Sequence, residues 1–101
     1  MIRDAKSEDN RRISELLKQL GYSASVDLIT EKLEEIGLSN FDQVFVAEKD
    51  DQLIGLISCH ITILFHCDGY LGRITSLVVD ENYRHQGIGK LLVKRAEKFL
   101  N

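Results

Sequence analysis

Arg84-His85-Gln86-Gly87-Ile88-Gly89-Lys90 carries the residue types and spacing in this chain best suited to chemistry. The segment lies between an apolar run, Ile74-Thr75-Ser76-Leu77-Val78-Val79, and a helical pattern from Ile88 to Leu100. The first N–H groups of a helix have no partner within it, and the aligned peptide dipoles add partial positive charge there. Such a start is a ready anion site, for phosphates above all. Gly87 and Gly89 lack side chains, so an anion can come close to those amides. A glycine weakens a helix by roughly 1 kcal/mol relative to alanine, so a pair in one first turn suggests a purpose beyond folding. Arg84 and Lys90 add mobile positive charge at the rim. A phosphorylated ligand is the guest this pattern predicts.

Two other phosphate motifs do not fit. A P-loop needs a glycine five residues before its Gly-Lys pair and a Ser or Thr after it. Here Arg84 holds the first position and Leu91 follows Lys90. A dinucleotide fingerprint needs a third glycine where Leu92 stands, and an acidic residue on a following strand. Cys59-His60 and His66-Cys67 form a near-palindrome of metal-ligand types. Adjacent strand residues point to opposite faces, and the spacing fits no zinc pattern, so no metal is expected. Cys59 reads as buried and His60 as half-exposed. His66 lies on a loop near where a substrate could enter. His85 is expected to offer its backbone amide rather than its ring. Thr75 and Ser76 read as ordinary strand residues, and Tyr83 as loop packing.

Several elements must position these residues. Ile2 to Ala5 reads as a short strand. Ser7 is expected to cap a helix with Ile13, Leu16, Leu17 and Leu20 inward, ended by Gly21. Ser25 caps a second, with Leu28, Ile29, Leu33 and Ile36 inward and Gly37 after its end. Val44 to Glu48 is a strand, and Lys49-Asp50-Asp51-Gln52 a tight turn. Leu53 to about Phe65 is a long strand pairing antiparallel with the previous one. His66 to Gly72 is a loop, Arg73 to Val79 a strand. Gly87 to Leu100 is a helix burying Ile88, Leu91, Leu92, Ala96 and Phe99. The order is β-α-α-β-β-β-α.

Composition bounds the rest. The chain has 101 residues, of which 44% are apolar. No break in composition divides it, so one domain over residues 1–101 with a small core is expected. The net charge is −3 with no basic block. Nucleic acid is therefore not an expected partner. No apolar run is long enough to cross a bilayer, so no membrane partner is expected either. Two cysteines without an export signal suggest a cytoplasmic location with free thiols.

Leu77 to Gly89 as a whole resembles the acyl-CoA signature of the GCN5-related N-acetyltransferases (GNAT). That signature is Arg or Gln, two residues, Gly, one residue, then Gly or Ala, after an apolar strand and a Tyr-Arg pair. Here it is Leu77-Val78-Val79-Asp80-Glu81-Asn82-Tyr83-Arg84-His85-Gln86-Gly87-Ile88-Gly89. Met1-Ile2-Arg3-Asp4-Ala5 is similar to the family's opening strand. The resemblance implies an α/β (α+β) fold with a mainly antiparallel sheet flanked by helices. It implies acetyl-CoA as co-substrate and an amine of a small molecule or peptide as acceptor. The backbone of Leu77, Val78 and Val79 would hold the pantetheine arm, and an N–H near Leu77 or Val78 would face the thioester oxygen. The diphosphate would sit on the amides of His85, Gln86, Gly87, Ile88, Gly89 and Lys90, beside Arg84. Many members carry a glutamate as base where this chain has Thr75; a water relay or Glu48 would replace it. Relative to that family, the chain corresponds to the N-terminal two-thirds, without the usual C-terminal strands and helix. A truncated product, or a chain completed by a partner, is therefore expected, with slow or absent turnover and a homodimer. The alternative is a non-catalytic CoA-binding or association module.

Overall fold

The computed structural model describes residues 1–101. Its elements are strand β1 (Ile2–Asp4), a 3-10 turn (Ser7–Asp9), helices α1 (Asn10–Gln19) and α2 (Val26–Gly37), and strands β2 (Asp42–Lys49), β3 (Gln52–Ile63) and β4 (Tyr70–Val79). A second 3-10 turn (Glu81–Tyr83) leads into helix α3 (Ile88–Leu100). The four strands form one sheet in sequence order, every pair antiparallel. The α/β (α+β) expectation and the element order hold, including the pairing of β3 with both β2 and β4.

Period-two patterning makes the sheet two-faced. Ile13, Leu16 and Ile29 of α1 and α2 pack with Val46, Leu53, Leu56 and Val78 on one face. Ile88, Leu92 and Ala96 of α3 pack with Phe45, Ala47, Ile54, Ile57 and Cys59 on the other. Burying each large side chain of this kind stabilises the fold by roughly 1.5–3 kcal/mol, before chain entropy is charged against it. Cys59 is fully buried in the α3-side core, and burial pushes its thiol pKa up. Gly55 permits the close approach of α3. A Cβ there would lie 3.1 Å from both the Val78 carbonyl oxygen and Leu92 Cδ1.

Some boundaries differ from the sequence expectation. Ser25 caps α2, accepting from the Leu28 N–H at 3.1 Å, as expected. Ser7 does not cap. Asp9 takes over that end, accepting the Lys6 N–H at 2.7 Å and a two-pronged bond from Arg3. Leu20, Leu28 and Leu91 are exposed, not buried. β4 begins at Tyr70 instead of Arg73, because Ile63 pairs with Tyr70 and draws three loop residues into the ladder. Asp50 and Asp51 both have positive φ, the geometry of a tight hairpin turn.

Candidate functional site

β4 is an outer strand of the sheet, paired only on its β3 side. Its last residues deliver the chain to the glycine-bearing loop. Val78 is buried, Val79 half-buried and Leu77 partly exposed. Asp80 then anchors the turn: its carboxylate accepts the Asn82 N–H at 2.8 Å and pairs with Arg12 of α1. The Asn82 bond, with Arg12 beside it, outweighs burial and holds the Asp80 carboxyl below the usual range. Arg12 also donates to the Leu53 carbonyl at 2.8 Å. This end of β4 is therefore tied to both α1 and β3.

The loop turns through two left-handed residues, His85 at φ 67° and Gly87 at φ 80°. Gly87 is the residue just before α3 and not part of its first turn. Its left-handed backbone cannot continue a right-handed helix. No backbone N–H from His85 through Lys90 donates to a backbone or side-chain acceptor; the first bond of α3 is Leu91 N–H to the Gly87 carbonyl, at 3.2 Å. A cluster of free amides at a helix N-terminus can take an anion. Gly89 borders open space: a Cβ there would meet only Val79 Cγ2, at an ordinary 3.9 Å. Packing within the chain therefore does not require glycine at that position. Lys90 and Lys94 line a groove that runs past Gly89 to Leu77. Arg84 is less mobile than expected, since its Nε donates to the Val79 carbonyl at 3.1 Å and braces the turn. Lys49 reaches Gln86 at 3.4 Å and lies over the Tyr83 ring, tying the β2–β3 hairpin to the loop.

On the opposite face of β4 lies a second groove, of about 230 Å³, lined by Ser58, His60, Thr75 and Ser76 and by α1 and α2. Sequence reading missed what happens there. His60 Nδ1 is 2.7 Å from Asp42 Oδ1, and His60 Nε2 is 2.7 Å from Thr75 Oγ1. Thr75 Oγ1 is in turn 2.8 Å from Ser58 Oγ. Ser39 Oγ bonds the second Asp42 oxygen at 2.7 Å. The Ser39 bond first, and His60 second, hold the Asp42 carboxyl below its ordinary range. Thr75 is thus more than an ordinary strand residue. It is the extra residue of a β-bulge, and the bulge turns both Thr75 and Ser76 into one groove. Glu48, the other suggested base, is held elsewhere by Arg3 at 3.0 Å. His66 is exposed on the β3–β4 loop, and Tyr70 stacks on Phe41. No set of three or more His, Cys, Asp or Glu side chains is placed to hold a metal ion.

A family model described as the acetyltransferase (GNAT) family matches residues 7–101. The chain belongs to the GNAT family. An uncharacterised N-acetyltransferase of Chlorobaculum tepidum is 33% identical over 100 residues, covering 99% of this chain and 59% of that protein. The chain therefore spans less than two-thirds of that GNAT relative's length. The glucosamine-6-phosphate N-acetyltransferase of Arabidopsis thaliana superposes with a TM-score of 0.87 at 26% identity, over 98% of this chain and 72% of that one. An aminoglycoside N-acetyltransferase solved in complex with CoA superposes at 0.83 with 22% identity, over 98% of this chain and 67% of that one, and shares the GNAT fold.

Proposed function

We propose that this chain is one acyl-CoA N-acyltransferase-like domain that moves an acetyl group from acetyl-CoA to an amine of a small molecule or peptide. One observation carries the proposal: the run of unbonded amides from His85 to Lys90 begins where the outer strand β4 ends. The diphosphate of CoA fits those amides, with Arg84 and Lys90 as flanking charge. The pantetheine arm fits the outer edge of Leu77, Val78 and Val79 as an added strand. An amide near Leu77 would then face the thioester oxygen as it gains charge. The CoA-bound aminoglycoside acetyltransferase supports this choice of co-substrate. Calorimetry with CoA, and thiol release from acetyl-CoA across a panel of amines, test the two halves. Binding with release supports the proposal. Absence of both overturns it.

A second reading concerns association. Leu71, Ile74 and Leu77 leave apolar surface exposed along β4. An outer strand of this kind can pair with another copy, which favours a homodimer and a non-catalytic association role. The cytoplasmic location suggested by free Cys59 and Cys67 belongs to the same proposal.

A further inference from the structure

We propose that Thr75 and His60, steered by Asp42, form the proton path that converts the acceptor's ammonium into the attacking amine. The inference rests on the acetyl-transfer reading and supplies the base which that reading lacks at Thr75. Its starting point is the direction of the hydrogen bonds. An ionised Asp42 can only accept, so His60 Nδ1 must carry the proton. Neutral His60 then has a bare Nε2, and the Thr75 hydroxyl donates to it. Ser58 donates to Thr75 Oγ1 in turn. Each link is 2.7 or 2.8 Å, within proton-transfer reach. A base within reach of a hydroxyl, itself oriented by a carboxylate, is an arrangement that recurs in catalytic sites.

The placement fits the reaction. Thr75 lies two residues before Leu77 on the same strand, at most about 7 Å away between Cα atoms. Leu77 is where the thioester carbonyl would lie. Thr75 opens into the groove between the sheet and the α1–α2 layer, which leaves room for a small amine. An ammonium bound there donates to Thr75 Oγ1. Thr75 passes its own hydroxyl proton to His60 Nε2 and takes one from the nitrogen. The freed lone pair attacks the thioester carbon, the C–N bond forms, and the C–S bond breaks. The nitrogen's second proton leaves with the CoA sulfur. Imidazolium at His60 is stabilised by Asp42 and, once product has left, returns its Nε2 proton to solvent through the exposed Thr75 hydroxyl. The charged groups facing His60 are Asp42 of β2, Lys32 and Glu35 of α2, and its ladder neighbour Arg73 of β4.

The test uses the full chain with acetyl-CoA and a panel of an aminosugar, a polyamine and a peptide with a free N-terminus. In wild type, kcat/KM should rise with pH along the His60 ring titration followed by NMR. His60→Gln should lose that limb and fall by about 100-fold or more, with CoA affinity unchanged by calorimetry. Thr75→Val should fall comparably and Thr75→Ser recover most of the rate. In ¹⁵N spectra at neutral pH, His60 should carry its proton on Nδ1. Protonation on Nε2 instead overturns the relay, whatever the rates. Wild-type transfer, with His60→Gln and Thr75→Val at full rate and an unaltered pH profile, overturns the relay alone. A wild-type chain that neither binds CoA nor releases thiol overturns the acetyl-transfer reading, and the relay with it.

Discussion

Gly89 separates the needs of the ligand from those of the fold. Nothing in the chain crowds its missing Cβ. Gly89→Ala should therefore leave stability unchanged or raise it, by up to about 1 kcal/mol. It should still weaken CoA, because a methyl group would stand where the diphosphate is proposed to approach. Gly89→Asp adds bulk and a like charge and should abolish CoA binding by calorimetry. Unchanged affinity in that variant would remove the phosphate cradle. Gly87 differs, since its backbone is left-handed and any side chain there is strained by about 1–2 kcal/mol.

Two contacts decide how elements meet. Gly55 lets α3 lie close on the sheet, and Gly55→Ala would press on the Val78 carbonyl, which is backbone and cannot swing aside. A loss of about 1–3 kcal/mol in chemical denaturation is expected. The Arg12–Asp80 pair joins α1 to the turn ahead of the loop. Asp80→Ala removes both the Asn82 cap and the partner of Arg12. It should destabilise by about 1–3 kcal/mol and also weaken CoA binding, because the turn that aims the amides loses its anchor. A stability loss with CoA affinity intact would show that the turn holds its shape without Asp80.

Over the whole molecule, three carboxylates make folding sensitive to acid. Asp42 and Asp80 are held low by the partners described above. For Asp9, burial pushes the pKa up, but the Arg3 and Lys6 bonds outweigh it and leave the net value lowered. A group whose folded pKa is depressed contributes stability that is full above its unfolded value, near 4, and lost as pH falls through the folded value. Thermal midpoints should therefore hold above about pH 5 and drop steeply below about pH 4. A flat midpoint down to pH 3 would contradict these three assignments. The β4 edge is the proposed site of both self-association and pantetheine. CoA should accordingly shift sedimentation toward monomer; a dimer unaffected by saturating CoA would place the interface elsewhere.

Much of this was legible in the sequence. Apolar periodicity located every helix and strand, and the glycine spacing from Arg84 to Lys90 marked the loop proposed to hold phosphate. These are local signals, carried by residues a few positions apart. The Asp42–His60–Thr75 chain was not legible, because two β-bulges build it. From the hairpin turn, Lys49 pairs with Gln52 and Glu48 with Leu53. Continued without interruption, that register would set Asp42 opposite the buried Cys59. A shift at Ala47/Glu48 leaves Ile54 unpaired and brings Asp42 opposite His60. A second shift, at Ser58/Cys59, leaves Thr75 as the extra residue of β4. Because side chains alternate between faces, a slip of one residue decides which groups share a groove. The residue types and the order of elements belong to the sequence. Which of those residues meet was decided by strand register, which the packed sheet alone sets.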